Sequence, residues 1–396
     1  MNKINVYGLG YIGLPTASLL ASKGYEVLGI DVSAKVVDTI NEGNVHIVEP
    51  DLDVLVRSVV NSKKLSAALQ PTPADVHIIA VPTPFKDNHE PDVSYVEAAA
   101  NTICDVLEVG NLVILESTSP VGSTEMISDI IKKRLPNVSP IYVAHSPERV
   151  IPGRVLHELI ENDRVIGGVD DQSTNVAIEF YQSFVNGEVI ATNARTAEMC
   201  KLTENSFRDV NIAFANELSL ICDKLDINVW ELVKLANHHP RVNILQPGPG
   251  VGGHCIAVDP WFIVSADPEH AKLIHQARLV NDAKPQWVIE KILTCAKQFT
   301  QPTIACLGAA FKADIDDLRE SPSLNIIKQL QQKNAGDLVV VEPNVKAIEG
   351  LKLISLEQAI NEADIIVILV DHKEFKKLTA AQLQDKYVID TKGILN

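Results

Sequence analysis

The stretch that decides the fold lies close to the N-terminus and reads INVYGLGYIG, residues 4–13. Its first four residues have the apolar character of a strand, and the next six carry the spacing G-x-G-x-x-G. In a strand–turn–helix unit of this kind, Gly8 allows the tight turn and Gly10 lets the backbone approach a pyrophosphate. Gly13 lets the helix pack closely against the strand. The stretch therefore predicts a unit whose helix N-terminus binds a phosphate group.

An acidic residue follows the glycine turn at the distance expected for dinucleotide-binding domains. Glu26–Ile30 is strand-like, and Asp31 comes directly after it. A carboxylate there accepts a hydrogen bond from a ribose 2′-hydroxyl and repels a 2′-phosphate, so Asp31 favours NAD over NADP. Tyr11 and Ile12, inside the glycine turn, are expected to contact the same cofactor. The alternative is a helix-packing turn in a Rossmann fold that binds no cofactor.

Hydroxyl side chains follow two further predicted strands. Thr83 comes after the strand Val76–Val81, and Thr118 comes after the strand Leu112–Glu116. Because ligands of open α/β sheets bind outside the carboxyl ends of the strands, both threonines are expected near the nicotinamide or its ribose. The alternative is that their hydroxyls only stabilise turns and cap helices.

The composition restricts the class of protein. Of the 396 residues, 46% are hydrophobic, and the net charge of −16 argues against non-specific binding to nucleic acid or to anionic membranes. No apolar stretch reaches the ~18 residues that a membrane span needs, and the N-terminus lacks the features of a signal peptide. We therefore expect a cytoplasmic protein that binds neither nucleic acid nor membrane. The six cysteines form no C-x-x-C pair, so neither a metal site nor disulfides are expected.

Short apolar runs alternate with helix-length segments at both ends of the chain. This pattern predicts an α/β fold of two Rossmann-like, parallel-sheet domains joined by a central helical domain. We expect an NAD-binding domain at residues 1–193, a helical domain at 194–299 and a second Rossmann-like domain at 300–396. Residues 188–239 contain neither Gly nor Pro, which predicts long helices. The strands predicted beside those already named are Ile4–Tyr7, Ile141–Ala144, Val165–Gly167, Thr303–Leu307, Leu338–Glu342, Ile365–Leu369 and Val388–Ile389.

The most unusual stretch is the glycine-rich loop, residues 247–259, which reads PGPGVGGHCIAVD. Four glycines precede Cys255, and such a loop can bring backbone amides close to a ligand while leaving the thiol unshielded. We interpret Cys255 as a nucleophile, and the alternative is a small residue in a tight loop. His254 and Asp259 lie close enough in sequence to influence the thiol.

A second candidate group lies in the helical region. Lys201, Asn205 and Arg208 are spaced by four and three residues, so they project from one face of a helix. A cation and an amide can stabilise a developing oxyanion, and a nearby cation favours a thiolate. The common alternative for such a set is a solvated helix face.

At these residues the chain resembles the UDP-glucose/GDP-mannose dehydrogenase family, and the resemblance extends over essentially the whole chain. It implies two NAD-binding-like domains, the second binding the UDP-sugar, and a helical region that pairs two subunits into a homodimer. The matching stretches are Gly8–Pro15, Ala80–Phe85, Glu116–Thr124, Ser146–Gly153, Arg195–Asn211, His239–Phe262, Phe311–Pro322 and Val388–Gly393.

The resemblance also implies a role for individual residues, carried over by position. Cys255 matches the nucleophile of a Gly-Gly-x-Cys motif, and Lys201 and Asn205 match residues assigned to acid–base or oxyanion work. Asp259 and Glu148 match family carboxylates that handle water or protons. The remaining matches are a cofactor contact, Arg319, and the substrate contacts Arg149, Val150, Lys201, Asn205, Arg208, His239, Arg241, Gly252, Phe311, Lys312 and Lys392.

The activity that the resemblance implies is oxidation of a nucleotide sugar at its C6 alcohol to a carboxylate, with two NAD reduced. Among family substrates it favours UDP-N-acetyl-D-mannosamine, oxidised to the uronate for bacterial surface polysaccharides such as enterobacterial common antigen. UDP-glucose and UDP-N-acetylglucosamine are alternative substrates.

Two other classes of protein stay open at this point. A one-step hydroxyacid or 6-phosphogluconate-type dehydrogenase would need neither the cysteine loop nor the second α/β domain. A nucleotide-sensing protein without catalysis would not need Cys255, Lys201 and Asn205 together.

Overall fold

The computed structural model describes residues 1–151, 153–253 and 255–395. The chain divides into two compact units, Met1–Glu204 and Asn205–Asn396. His254, which the sequence places beside Cys255, lies outside the described residues. Within the described part of the chain, no helix is long and apolar enough to cross a membrane.

The first unit is built on one sheet of eight strands. They are β1 Lys3–Tyr7, β2 Glu26–Ile30, β3 Leu65–Ala68, β4 Val76–Ile79, β5 Leu112–Leu115, β6 Tyr142–His145, β7 Arg164–Gly168 and β8 Val189–Asn193. Their spatial order is β3-β2-β1-β4-β5-β6-β7-β8, and every neighbouring pair is parallel except β6 and β7. Every residue of β4 and β5 is buried, as expected for central strands covered on both faces. The carboxyl ends of the parallel strands therefore form one edge where a ligand can bind.

The helices of the first unit follow its strands as crossover connections. The first of them starts at Gly13, at the end of the glycine turn. Side chains cap two later helices: the Ser33 side chain accepts a hydrogen bond from the amide of Val36, and the Asp170 side chain accepts one from the amide of Ser173. The helices are α1 Gly13–Ser22, α2 Ala34–Asn41, α3 Leu52–Asn61, α4 Ser94–Ile103, α5 Ser123–Arg134, α6 Val155–Glu161 and α7 Asp171–Gln182, with a 3-10 turn at Asp87–His89.

A helical region follows. The 31-residue helix α8, Ala194–Lys224, begins in the first unit, and the second unit continues with α9 Val229–Ala236, α10 Asp259–Ala266 and α11 Lys272–Ala296. The long helices predicted for residues 188–239 are confirmed from Ala194 onward. The start of that stretch instead forms β8, because its β-branched residues pair with β7.

The C-terminal part of the second unit has a sheet of its own. Its four parallel strands have the spatial order β10-β9-β11-β12, with bounds β9 Thr303–Leu307, β10 Asp337–Val341, β11 Ile365–Ile368 and β12 Tyr387–Asp390. Its helices are α12 Pro322–Gln332 and α13 Leu356–Glu362, with 3-10 turns at Phe375–Lys377 and Ala380–Leu383.

The predicted fold class is confirmed, and every predicted strand is present within two residues of its expected bounds. The prediction of parallel pairing throughout is wrong for β6 and β7, where Ala144 pairs antiparallel with Gly168. Two strands, β3 and β8, were not predicted. The sequence of β3, LSAA, lacks the β-branched and aromatic residues that identify a strand.

Candidate active site

The glycine turn has the close contacts that its spacing predicts. Gly8 has φ +87°, and a Cβ there would lie 2.7 Å from the carbonyl oxygen of Ala80. A Cβ on Gly13 would lie 1.8 Å from the carbonyl oxygen of Gly8, so a side chain is excluded at both positions. Around Gly10, nothing in the described chain lies within 4 Å of such a Cβ, which leaves its backbone open to a ligand.

Asp31 lies against this turn at the end of β2. Its Oδ2 accepts a hydrogen bond from the amide of Leu9 at 3.0 Å, and its Oδ1 accepts from the amide of Ser33 at 2.9 Å. Ile12 immediately precedes α1, and Tyr11 beside it is exposed. Because the carboxylate, the open backbone and the helix N-terminus lie together, these residues fit the ribose and pyrophosphate of a dinucleotide.

The two predicted threonines lie side by side. The hydroxyl of Thr83 donates to the carbonyl oxygen of Thr118, and the hydroxyl of Ser117 donates to the carbonyl oxygen of Val81 at 2.7 Å. These bonds join the loops after β4 and β5. The contact between Gly8 and Ala80 brings the loop after β1 to the same edge of the sheet.

The first turns of α8 are fixed by a buried carboxylate that was not among the predicted site residues. Glu198 accepts hydrogen bonds from the amides of Gly122 and Thr124, at 2.6 and 2.7 Å, and from the Thr124 hydroxyl at 2.6 Å. Burial raises the pKa of Glu198. It binds the N-terminus of α5, just past the Thr118 loop, and Lys201 follows one helical turn later, partly buried. No local pattern marks Glu198, since its partners lie about seventy residues away.

Glu148 and its neighbours form a second anchored loop of the first unit. Glu148 is buried, and its carboxylate accepts from the amide of Arg149 at 2.7 Å and from Nη2 of Arg164 at 2.8 Å. The Arg149 guanidinium donates to Oε1 of Glu204 at 2.7 Å and to the carbonyl oxygen of Asp163. Val150 is partly buried against the core. Arg149 is thus paired with protein groups in this structure.

The glycine-rich loop of the second unit presents the candidate nucleophile. Cys255 is exposed, whereas four of the other cysteines are buried and Cys200 is partly buried. A Cβ on Gly252 would lie 2.4 Å from the carbonyl oxygen of Glu320, and one on Gly253 would lie 2.9 Å from the ring of Phe311. Glycine is therefore required where the loop packs, and the packing fixes the loop before Cys255.

Two further predicted catalytic residues, Asn205 and Asp259, are hydrogen-bonded to each other, and Asp259 is also bonded to the backbone of Cys255. Nδ2 of Asn205 donates to Oδ2 of Asp259 at 2.5 Å, and both side chains are buried. The amide of Asp259 donates to the carbonyl oxygen of Cys255 at 2.8 Å, as does that of Val258 at 3.0 Å. The structure therefore joins Asn205, Asp259 and Cys255 into one connected set, although 54 residues separate the first two.

A buried polar network between α8 and α11 is bonded to the glycine-rich loop at Gly248. Nη1 of Arg278 donates to Oδ1 of Asp209 at 2.6 Å, and Nδ2 of Asn281 donates to the same oxygen at 2.8 Å. Nδ2 of Asn216 donates to Oδ1 of Asn281 at 2.9 Å, and its own Oδ1 accepts from the amide of Gly248 at 2.9 Å. No local sequence pattern indicates this network, because each bond joins residues that are distant in the chain.

Three predicted substrate residues lie in the C-terminal part of the second unit. Phe311 packs on the glycine-rich loop, and Lys312 is exposed. Nζ of Lys392 lies 3.4 Å from Oδ1 of Asp371 and 3.7 Å from the Cβ position of Gly248. A phenyl ring and a lysine therefore flank the cysteine loop.

The remaining predicted contacts are exposed. Arg319 donates through Nε and Nη2 to both carboxylate oxygens of Asp317, at 2.9 and 2.7 Å. After α9, the amide of Arg241 donates to Nδ1 of His239 at 3.3 Å, and both side chains are exposed. Arg208 is exposed on α8.

The fold and the site together define a dehydrogenase with a dinucleotide site in one Rossmann domain and a cysteine loop beside a second. Comparison with known families agrees. The NAD binding domain of the UDP-glucose/GDP-mannose dehydrogenase family matches residues 2–185, its central domain matches residues 195–283, and its UDP binding domain matches residues 305–396. The chain belongs to the UDP-glucose/GDP-mannose dehydrogenase family. It is an NAD-dependent oxidoreductase of nucleotide sugars, so the predicted family, cofactor and enzyme class are confirmed.

Similar proteins carry two kinds of name. The NDP-N-acetyl-D-galactosaminuronic acid dehydrogenase of Ralstonia nicotianae is 58% identical, covering 99% of this chain and 96% of its own. The UDP-N-acetyl-D-mannosamine dehydrogenase of Campylobacter jejuni is also 58% identical, covering 94% and 96%. A solved structure of a UDP-D-ManNAc dehydrogenase from Pyrococcus horikoshii is 40% identical, with a TM-score of 0.92, and covers 100% of this chain and 96% of that chain.

Proposed function

We propose that this enzyme oxidises the C6 alcohol of UDP-N-acetyl-D-mannosamine to a carboxylate, using Cys255 as a covalent nucleophile and two NAD per sugar. The observation that carries the proposal is the exposed Cys255 on its packed loop, with the bonded pair Asn205–Asp259 directly behind it. The product, UDP-N-acetyl-D-mannosaminuronate, would serve surface polysaccharides such as enterobacterial common antigen, and the enzyme would work in the cytoplasm.

The cofactor residues are proposed to act by holding NAD in the first unit. When bound, NAD supplies hydride acceptance. Gly10 and the start of α1 bind its pyrophosphate, and Asp31 binds the ribose hydroxyls. Thr83 and Thr118, in the loops after β4 and β5, are proposed to contact the nicotinamide end. The proposed cofactor contacts are Gly8, Gly10, Tyr11, Ile12, Gly13, Asp31, Thr83, Thr118 and Arg319.

The thiol of Cys255 makes the second oxidation possible. The first oxidation yields an aldehyde, to which a thiolate adds to give a thiohemiacetal. Loss of the second hydride turns the adduct into a thioester, which water hydrolyses to the acid and the free thiol. An oxyanion forms on the way, and Lys201 and Asn205 are assigned to stabilise it. An Asn amide has two N–H donors, so the bond to Asp259 leaves one for a substrate oxygen.

Proton handling and substrate binding are assigned to charged groups around these residues. Asp259 and Glu148 are the carboxylates proposed to handle protons and the hydrolytic water. The basic residues among the substrate contacts attract the negatively charged diphosphate, although the protein as a whole is acidic. The proposed domains are 1–193 for NAD, 194–299 for catalysis and pairing, and 300–396 for the UDP-sugar. The proposed substrate contacts are Arg149, Val150, Lys201, Asn205, Arg208, His239, Arg241, Gly252, Phe311, Lys312 and Lys392.

We also propose that the enzyme is a homodimer. Phe207, Phe214 and Ile221 recur every seven residues along α8 and are 69%, 52% and 45% exposed. Leu225, one turn further, is 60% exposed. Apolar side chains spaced by whole turns form a stripe on one helix face, and a second copy of α8 would bury it.

A second candidate substrate is UDP-N-acetyl-D-galactosamine, since the relative from Ralstonia nicotianae is named for the galactosaminuronic acid. Both names describe sugars that carry an N-acetyl group. The proposal is therefore tested with UDP-N-acetyl-D-mannosamine, UDP-N-acetyl-D-galactosamine, UDP-N-acetylglucosamine and UDP-glucose, read by NADH absorbance. The expected result is the highest kcat/KM with the mannosamine sugar, and a higher value with any other sugar would overturn the assignment.

The covalent step has its own test in Cys255→Ser. Serine is similar in shape, but its hydroxyl is a weaker nucleophile at neutral pH than a partly ionised thiol. Steady-state turnover should be lost while NAD and sugar still bind, and mass spectrometry should detect a trapped sugar adduct. Turnover near the wild-type rate would remove Cys255 from the mechanism.

A further inference from the structure

A buried charged cluster lies behind Glu148 in the first unit. Arg164 on β7 donates through Nη2 to Oε2 of Glu148 at 2.8 Å, and its Nη1 lies 4.0 Å from Oε1 of Glu116, which follows β5. The hydroxyl of Tyr181 on α7 donates to Oε1 of Glu116 at 2.6 Å. The Arg164 guanidinium also lies 5.0 Å from the centre of the Tyr181 ring. None of the family roles described above is assigned to Arg164, Glu116 or Tyr181.

The charges of this cluster do not balance if both carboxylates are ionised. Arg164, Glu116 and Glu148 are only 4%, 2% and 8% exposed, so water cannot screen them. An ionised group in such surroundings is costly unless it is paired and hydrogen-bonded. One guanidinium can neutralise only one of the two carboxylates.

The geometry shows which carboxylate receives the cation. Glu148 has the direct, charge-assisted hydrogen bond, whereas Glu116 lies beyond hydrogen-bond distance of Arg164 and is bonded to a neutral hydroxyl. Burial raises the pKa of Glu116 to about 7, against the opposing effect of Arg164. Burial also raises the pKa of Tyr181, which keeps its hydroxyl a donor. Glu116 therefore carries a proton at mildly acidic pH, and the charge of Arg164 is paired with Glu148.

The other titratable groups on the neighbouring segments of the chain are neutral or already paired. Burial lowers the pKa of His145, at the end of β6, to about 3, so the ring is neutral. The Arg149 side chain is engaged by Glu204. On α6, Glu158 accepts from the amide of Ile151 at 2.8 Å and lies 3.8 Å from Arg154. Arg164 is thus the cation in contact with Glu148 among these groups.

We propose that Arg164 is a positioning residue that pairs with the Glu148 carboxylate and orients it as the base for thioester hydrolysis, with Glu116 and Tyr181 completing its surroundings. This inference rests on the proposed function, in which Glu148 handles protons. Two hydrogen bonds fix the Glu148 carboxylate: the amide of Arg149 donates to Oε1 at 2.7 Å, and Nη2 of Arg164 on β7 donates to Oε2 at 2.8 Å. Without Arg164, Glu148 would be a buried carboxylate with no paired cation, which is a costly arrangement.

The test compares Arg164→Gln with Arg164→Lys. Glutamine can still donate a hydrogen bond to Glu148 but carries no charge, and lysine keeps the charge. In Arg164→Gln, the acid limb of the pH profile of kcat should move up by about 1–3 pH units, because an adjacent opposite charge shifts a carboxyl by that amount. In Arg164→Lys it should stay within about half a unit of wild type. Arg134→Met, which removes an exposed arginine paired with Asp105, is the matched surface control.

A second readout separates positioning from general disruption. If Arg164 serves hydrolysis, Arg164→Gln should accumulate an acyl adduct on Cys255, visible by mass spectrometry, while the first NADH forms at close to the wild-type rate. Glu116→Gln mimics the protonated carboxyl, so its acid limb should stay in place. An unmoved acid limb in Arg164→Gln, or an equal upward shift in Glu116→Gln or Arg164→Lys, would overturn the inference. Failure of the proposed function would be seen separately, as a wild-type enzyme that forms no adduct and no second NADH.

Discussion

The substitution Gly252→Ala tests whether packing of the glycine-rich loop positions the nucleophile. Gly252 lies three residues before Cys255. A Cβ at this position would lie 2.4 Å from the carbonyl oxygen of Glu320 and 2.6 Å from Cδ of Pro322. One obstacle is backbone and the other is a proline ring, so neither can rotate away as a flexible side chain would.

The size of the effect follows from these distances. A carbon and a carbonyl oxygen that are not bonded approach to about 3.3 Å, so the loop must move by about 0.9 Å. A misplacement of about 1 Å at a reacting group costs about 100-fold in rate. We therefore expect Gly252→Ala to lower kcat about 100-fold. The overpacked site should also lower the free energy of unfolding by about 1–3 kcal/mol.

The assay measures kcat by NADH absorbance, stability by urea unfolding, and NAD affinity by calorimetry. NAD affinity should change little, because all the proposed cofactor contacts except Arg319 lie in the first unit. Gly248→Ala is the matched control in the same loop: its Cβ would meet Nζ of Lys392 at 3.7 Å, an ordinary contact distance, so kcat should change only a few-fold. A Gly252→Ala enzyme with kcat within a few-fold of wild type would refute the reasoning.

Three further predictions concern other parts of the chain. Asp31→Asn keeps an acceptor for the amide of Leu9 but loses the charge, so the kcat/KM preference for NAD over NADP should fall about tenfold or more; an unchanged ratio would contradict the role of Asp31. Phe214→Glu should make the protein monomeric by light scattering, whereas Tyr95→Glu, at a similarly exposed aromatic residue of the first unit, should not; a dimeric Phe214→Glu would place the interface elsewhere. Burial, with the like charge of Lys291, lowers the pKa of Lys284 from 10.5 to about 7. Between about pH 7 and pH 10.5 the unfolded chain therefore binds more protons than the folded chain, and the free energy of unfolding should rise with pH over this range. Lys284→Met should abolish that rise and raise stability at pH 7 by on the order of a few kcal/mol in urea unfolding; an unchanged slope would contradict the shift.

Local spacing explains which parts of the fold the sequence predicts. The glycine turn and Asp31 are separated by one helix and one strand, so their meeting follows from the regular geometry of the unit. The strands were found because they are short, apolar and β-branched. The LSAA strand has no such pattern, and its pairing with β2 provides the order that its composition does not. The direction of β7 depends on the path of the loop after β6, which no periodicity encodes.

The candidate site likewise contains residues that local sequence identifies and residues that only long-range contacts identify. Cys255 could be singled out because its glycines are neighbours in sequence. The bond from Asn205 to Asp259 joins residues 54 apart, and those of Glu198 and Arg164 join groups that depend on the finished fold. Buried Glu and Arg residues resemble surface residues in a sequence, since only burial and partners distinguish them. These positioning residues therefore became visible only in the structure.

The measurement that tests the central claim most directly is the yield of NADH from a limiting amount of UDP-N-acetyl-D-mannosamine with NAD in excess. The reaction is followed by absorbance to completion, and the sugar product is identified by mass spectrometry. Oxidation through a Cys255 thioester predicts two NADH for each sugar and a uronate as the product. One NADH for each sugar, with an aldehyde or ketone left in solution, would contradict it and point to a one-step dehydrogenase.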